Sequence, residues 1–98
     1  MIYLIELFKF GEDGVKSPYL IKVGYSHNPQ KRLRQIQRFK GECYLRLTVP
    51  GTVDREQVIL SRLRVRHKQP GNRTSEYFHH SALEDALIEL NKFKKGTT

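Results

Sequence analysis

Cysteine is nearly missing from this sequence. Cys43 stands alone among 98 residues, so no intramolecular disulfide can form and nothing in the chain requires an oxidising compartment. Long apolar runs are missing too. None approaches the roughly 20 residues of a membrane span. The apolar opening Met1–Phe10 lacks a basic leader and carries Glu6 and Lys9, unlike a secretion signal. There is no tryptophan, only four prolines, and no repeat, linker or low-complexity stretch. Acidic residues are the scarce charge, ten against eighteen basic. These absences leave a soluble, cytoplasmic, single domain over residues 1–98 as the expectation. A hydrophobic content of 38% with ten aromatics is enough to fold on.

The net charge of +8 is unevenly placed. Between Lys31 and Arg73 lie twelve of the eighteen basic residues, among them Lys31, Arg32, Arg34, Arg38, Arg62 and Arg66, opposed only by Glu42, Asp54 and Glu56. A clustered positive field attracts polyanions and speeds their encounter. A membrane surface would prefer one basic amphipathic helix. Here the basic residues fall on several elements, which suits a phosphate backbone, so nucleic acid rather than a membrane is the expected partner. The bland alternative is a solvated face kept for solubility.

Ile2–Phe10 reads as a strand, Gly11–Gly14 as a turn and Tyr19–Gly24 as a second strand. A turn centred between Glu12 and Asp13 pairs residues whose numbers sum to 25, setting Tyr3 opposite Lys22. Pro18 cannot donate to a ladder and belongs at an edge, a bulge or the strand's start. Asn28-Pro29 starts a helix to about Phe39. On it, Arg32 shares a stripe with Ile36 and Phe39, while Lys31, Arg34 and Arg38 form an outward stripe. Cys43–Val49 alternates, with Cys43, Leu45, Leu47 and Val49 on one face of a third strand. Thr52 caps a second helix through about His67, and Ser81–Glu84 fits the capping box of a third. The fold class is α/β of the α+β type: a small three-stranded antiparallel sheet flanked by three helices, in the order ββαβαα.

Five short patterns in order give these elements a family likeness. Ile2-Tyr3 opens the first strand and Lys22-Val23-Gly24 ends the second. Arg32 follows Gly24 by eight residues, Glu56 opens the second helix, and Glu76-Tyr77-Phe78 comes late. Together they resemble the GIY-YIG nuclease superfamily, and Ile21-Lys22-Val23-Gly24-Tyr25-Ser26 resembles its small phage-type branch. The likeness runs from Ile2 to about Phe78. The departures are Met1 for the leading glycine, Lys22 for the first tyrosine of the second half-motif, and Ser61 where the branch often carries a histidine.

The resemblance implies a metal-dependent endonuclease that hydrolyses phosphodiester bonds, DNA in preference to RNA, with one Mg²⁺ or Mn²⁺. It assigns Tyr3 and Lys22 to the attacking water, Arg32 to the phosphate charge and Glu56 to the metal. Lys31, Arg34, Arg38, Arg62 and Arg66 would grip nucleic acid. Tyr25, Ser26 and Asn72 would be accessory, and high sequence specificity is not expected unless a protein partner supplies it. The chemistry agrees. A hard cation on one carboxylate keeps its waters and can serve the leaving oxygen, and a guanidinium suits phosphoryl oxygens because it is planar and always charged.

Each residue also has an ordinary use. Tyr3 can be packing. Lys22, on the same face as Leu20, must snorkel or find a partner. Glu56 in a first helical turn can simply complement the dipole, although it aligns with Leu60, Leu63 and His67 on the inward face, whereas Asp54 points elsewhere. The histidines match no zinc spacing. The alternative to an enzyme is a nucleic-acid-binding module that keeps the fold and basic face without cutting.

Overall fold

The computed structural model describes residues 1–67 and 75–95, with side chains to Phe93. Strands β1 (Ile2–Phe10) and β2 (Lys16–Tyr25) are followed by α1 (Pro29–Lys40), β3 (Cys43–Val49), α2 (Val53–Arg66), β4 (Tyr77–His79), a single 3₁₀ turn (His80–Ala82) and α3 (Leu83–Lys95). The mixed α+β class with three helices is as expected. The sheet, however, has four strands, all antiparallel, in the order β3-β1-β2-β4. The expected three-stranded sheet and ββαβαα order are corrected by β4. Three residues are too few to show a period-2 pattern, yet β4 pairs with β2 through Leu20↔His79, Ile21↔Phe78 and Lys22↔Tyr77.

The β1–β2 register differs from expectation for two countable reasons. The loop runs over five residues and centres on Asp13, so Phe10 pairs with Lys16. A bulge then takes up Tyr19, so Leu7 pairs with Leu20 while Phe8 pairs with Pro18. Each adds one to the pairing sum, so Tyr3 sits opposite Gly24 and Lys22 opposite Ile5. A slip of two residues keeps every side chain on its face. Tyr3 and Lys22 thus remain diagonal neighbours on one side of the sheet.

A second bulge corrects the reading of β3. Leu4 pairs with Leu47 but Ile5 with Leu45, leaving Arg46 as the extra residue. Val49 and Leu47 therefore join one core, while Cys43 and Leu45 join the other. The sheet is covered on both faces. On one, Tyr3, Ile5, Leu7 and Cys43 pack against Ile36 and Leu33 of α1. On the other, Ile2, Leu4, Ile21, Val23 and Phe78 pack against Ile59, Leu60 and Leu63 of α2 and Ala86 and Leu90 of α3. Truncating one of the buried Leu or Ile side chains to Ala would cost about 2–5 kcal/mol.

Local chemistry fixes the helix ends. Asn28 Oδ1 accepts from Lys31 N–H (3.1 Å), Pro29 fills the first position, and Gly41 at φ 79° ends α1. Thr52 Oγ1 accepts from Arg55 N–H (3.3 Å) to start α2. The expected capping box is replaced: Ser81 lies inside the 3₁₀ turn, and its N–H donates to His79 Nδ1 (3.1 Å). Phe39, expected beside the core, is 86% exposed, because α1 offers the sheet only Leu33 and Ile36. Among the described residues no helix is long and apolar enough to cross a membrane.

Candidate active site

Strands β1, β2 and β4 bring Tyr3, Lys22 and Tyr77 together. Tyr3 and Lys22 are both buried on the α1 side. The Tyr3 ring lies across the Gly24 backbone so closely that a β-carbon there would stand 2.3 Å from the tyrosine oxygen and 2.4 Å from Cζ. The glycine ending β2 is thus required by the tyrosine opening β1. Lys22, expected either to snorkel or to find a partner, finds one: its ammonium is ion-paired with Glu76, just before β4. Its Nζ also lies 5.8 Å from the Tyr3 ring centroid and 5.0 Å from that of Tyr77, its partner across the ladder. The Glu76 carbonyl accepts from Val23 N–H (3.1 Å), which fixes the segment against β2.

Glu56 enters from α2. It is 3% exposed on the stripe of Ile59, Leu60 and Leu63, while Asp54 is exposed. Burial pushes the Glu56 carboxyl above its ordinary value, and the nearby Glu76 carboxylate pushes it further. The Gln57 amide, which donates to Glu56 Oε1 (2.7 Å), and the cations of Lys22 and Arg64 oppose the rise without cancelling it. Arg64 donates from Nη2 to the Ser75 carbonyl (3.0 Å), and its buried Nε meets no acceptor among the described residues.

Arg32 lies at the rim. It is exposed, with Nη1 donating to Gln35 Oε1 (3.1 Å). Its charge reaches Tyr77, whose hydroxyl burial pushes up and whose rise Lys22 and Arg32 oppose. Lys40 Nζ stands 5.1 Å over the same ring. Lys22 is the link among these groups: its ammonium lies by the rings of Tyr3 and Tyr77 and its charge is felt at Glu56, while the charge of Arg32 is felt at Tyr77. Glu76, Tyr77 and Arg64 join them without having been singled out for the site. Glu76 and Tyr77 were visible only as part of a motif, and Arg64 only as one cation among many.

The grip residues divide. Lys31, Arg34 and Arg38 are exposed on α1. Arg62 and Arg66 lie on α2, across the sheet, and are paired with Glu89 (3.1 Å) and Asp85 (3.8 Å) of α3. Tyr25 and Ser26 line an open depression of about 370 Å³ with His27, Asn28 and the α1 residues Lys31, Arg32 and Gln35. Ser61 is exposed. Asn72 lies outside the described residues.

Among the described residues no three His, Cys, Asp or Glu side chains converge as a metal cage. The donor set near Glu56 nonetheless fits a hydrated divalent cation. Glu56 presents a buried carboxyl raised first by burial and next by Glu76, and a Mg²⁺-type ion can be held by one or two carboxylates with water and phosphate completing its shell.

Comparison with known proteins gives one match: the family model of the T5orf172 domain covers residues 1–94. No curated protein and no solved structure matches.

Proposed function

The chain belongs to the T5orf172 domain family, phage-associated and nuclease-like at a coarse level, and from that premise we propose that it is a metal-dependent endonuclease of GIY-YIG type. It hydrolyses nucleic-acid phosphodiesters, DNA in preference to RNA, with a single Mg²⁺ or Mn²⁺. The observation that supports this reading is a buried Lys22 beside the Tyr3 ring, with the buried Glu56 carboxyl of α2 within reach of the Lys22 charge. Burying a lysine and a glutamate at one place serves no packing purpose.

Each side chain then has a task. Tyr3 and Lys22 hold the water that attacks phosphorus and orient it along the line of the breaking P–O bond. Arg32, at the open rim, meets the phosphoryl oxygens with two N–H donors as charge builds on them. Glu76 sets the position of Lys22 through their ion pair. Glu56 offers its carboxylate to the cation, which when bound would neutralise charge on the leaving oxygen. One observation favours a second reading, a module that binds without cutting: Lys22 is already engaged by Glu76 and must be shared with the water.

The test is incubation of the protein with single- and double-stranded DNA and RNA, with Mg²⁺, with Mn²⁺ and with EDTA. Cleavage with either ion and none in EDTA supports the enzyme. Binding without cleavage under every condition supports the module.

A further inference from the structure

Apart from Arg32, the residues lining the depression at the start of α1 have no role in the chemistry just described. Its floor is the Tyr25–Asn28 segment and its wall the first two turns of α1. At about 370 Å³ it lies at the lower end of the range of small-ligand sites, roughly 300–1,000 Å³, enough for one nucleotide rather than a folded partner. Two aromatic rings and two cations line it. Tyr25 and His27 stand edge to face with centroids 5.5 Å apart, and Lys31 and Arg32 project from α1. A π surface beside fixed positive charge matches a flat base joined to a phosphate.

The segment is held in place before any ligand arrives. Ser26 N–H donates to the Met1 carbonyl (2.9 Å), and the Met1 nitrogen donates to the Ser26 carbonyl (2.8 Å). Asn28 N–H donates to Ser26 Oγ (3.0 Å), while Asn28 Oδ1 caps α1 at Lys31. Tyr25 also packs on the sheet core, so its ring cannot swing freely. Arg32 lines the depression, and its charge also reaches Tyr77, which lies against Lys22, so an occupant here adjoins the phosphate that Arg32 would hold.

We propose that this depression is a nucleotide subsite: it takes the base next to the scissile phosphate, unstacked from its neighbours, against Tyr25 and His27, with Lys31 on the adjoining phosphate. The inference rests on the nucleic-acid reading of the neighbouring cluster. It adds a substrate form, since a base inside a regular duplex cannot enter a side pocket without unpairing. Single strands, ends and distorted junctions are therefore preferred to intact duplex.

The test compares binding of two short single strands of equal phosphate count, one with bases and one abasic throughout, by fluorescence anisotropy. Removing base–aromatic stacking typically weakens binding by about 5- to 150-fold. The base-bearing strand should bind more tightly than the abasic one by at least the lower figure. His27→Ala and His27→Leu should remove most of that difference while leaving abasic binding unchanged, and Lys31→Ala should weaken both strands alike. Equal binding of the two strands by the wild type, or equal loss on both in the aromatic variants, would overturn the subsite. A parallel cleavage assay separates the two ideas. Cleavage without base-selective binding removes the subsite and keeps the nuclease, whereas base-selective binding without cleavage keeps the subsite and removes the nuclease.

Discussion

Gly24 and Tyr3 show how tightly single residues are specified here. Because a β-carbon on Gly24 would meet the Tyr3 ring head-on, Gly24→Ala must push the ring out of its buried place. We expect a loss of about 1–3 kcal/mol in thermal unfolding, as for other overpacked cores, together with reduced cleavage because the hydroxyl moves. Glu56 makes the opposite prediction for stability. Its carboxyl is held above the ordinary 4.5 by burial first and Glu76 second, so the native state binds that proton more tightly than the unfolded chain does. The native state therefore loses stability as pH rises through about 4.5 toward the raised value. Glu56→Gln removes that cost, and its Tm should exceed the wild type's at pH 7, with the gap closing below about pH 4. A lower Tm at pH 7 would refute the electrostatic account of the site. For Arg32 the expectation is kinetic: Arg32→Ala should lower kcat by roughly 10²-fold or more, whereas Arg34→Ala should act on KM. Glu56 was legible in the sequence because helical spacing aligned it with Leu60 and Leu63. Glu76 and Arg64 were not, since their roles arise only when β4 is laid beside β2.

Elements were legible wherever their pattern was long. All three helices and the first three strands follow from periodicity, and the Asn28 and Thr52 caps lie where their chemistry puts them. What escaped were features one to three residues in size. β4 spans only three residues and the Arg46 bulge leaves no local signature, while the bulge at Tyr19 was one of three places the sequence left open for Pro18. Their consequences differ. The Tyr19 bulge and the longer loop cancel as far as faces are concerned, so the diagonal contact of Tyr3 and Lys22 survived a wrong register. The Arg46 bulge does not cancel, and it divides an alternation that looked one-sided between two cores. α1 is the element that carries the accessible positive stripe. On duplex DNA the logarithm of the binding constant should fall with the logarithm of salt by about 0.9 per phosphate neutralised. Replacing both Arg34 and Arg38 with Ala should flatten that slope by up to roughly two such units without changing sequence preference. An unchanged slope would mean that nucleic acid lies elsewhere.

For the molecule as a whole, the net charge of +8 pointed to a polyanion, but the sequence could not show how the charge is distributed. Arg62 and Arg66 face α3 carboxylates on the far side of the sheet. The stripe of α1 and the depression at its N-terminal end share Lys31, and Arg32 carries charge from the depression toward Tyr77 at the β2–β4 edge. On the proposed reading substrate approaches along α1. The most direct test of that reading is the single-turnover cleavage rate of Glu56→Gln in Mg²⁺, with nucleic-acid affinity measured on the same preparation. The structure predicts a rate lost to background while affinity is kept or improves, because a negative charge near the phosphate has gone. Cleavage at the wild-type rate by Glu56→Gln would contradict it.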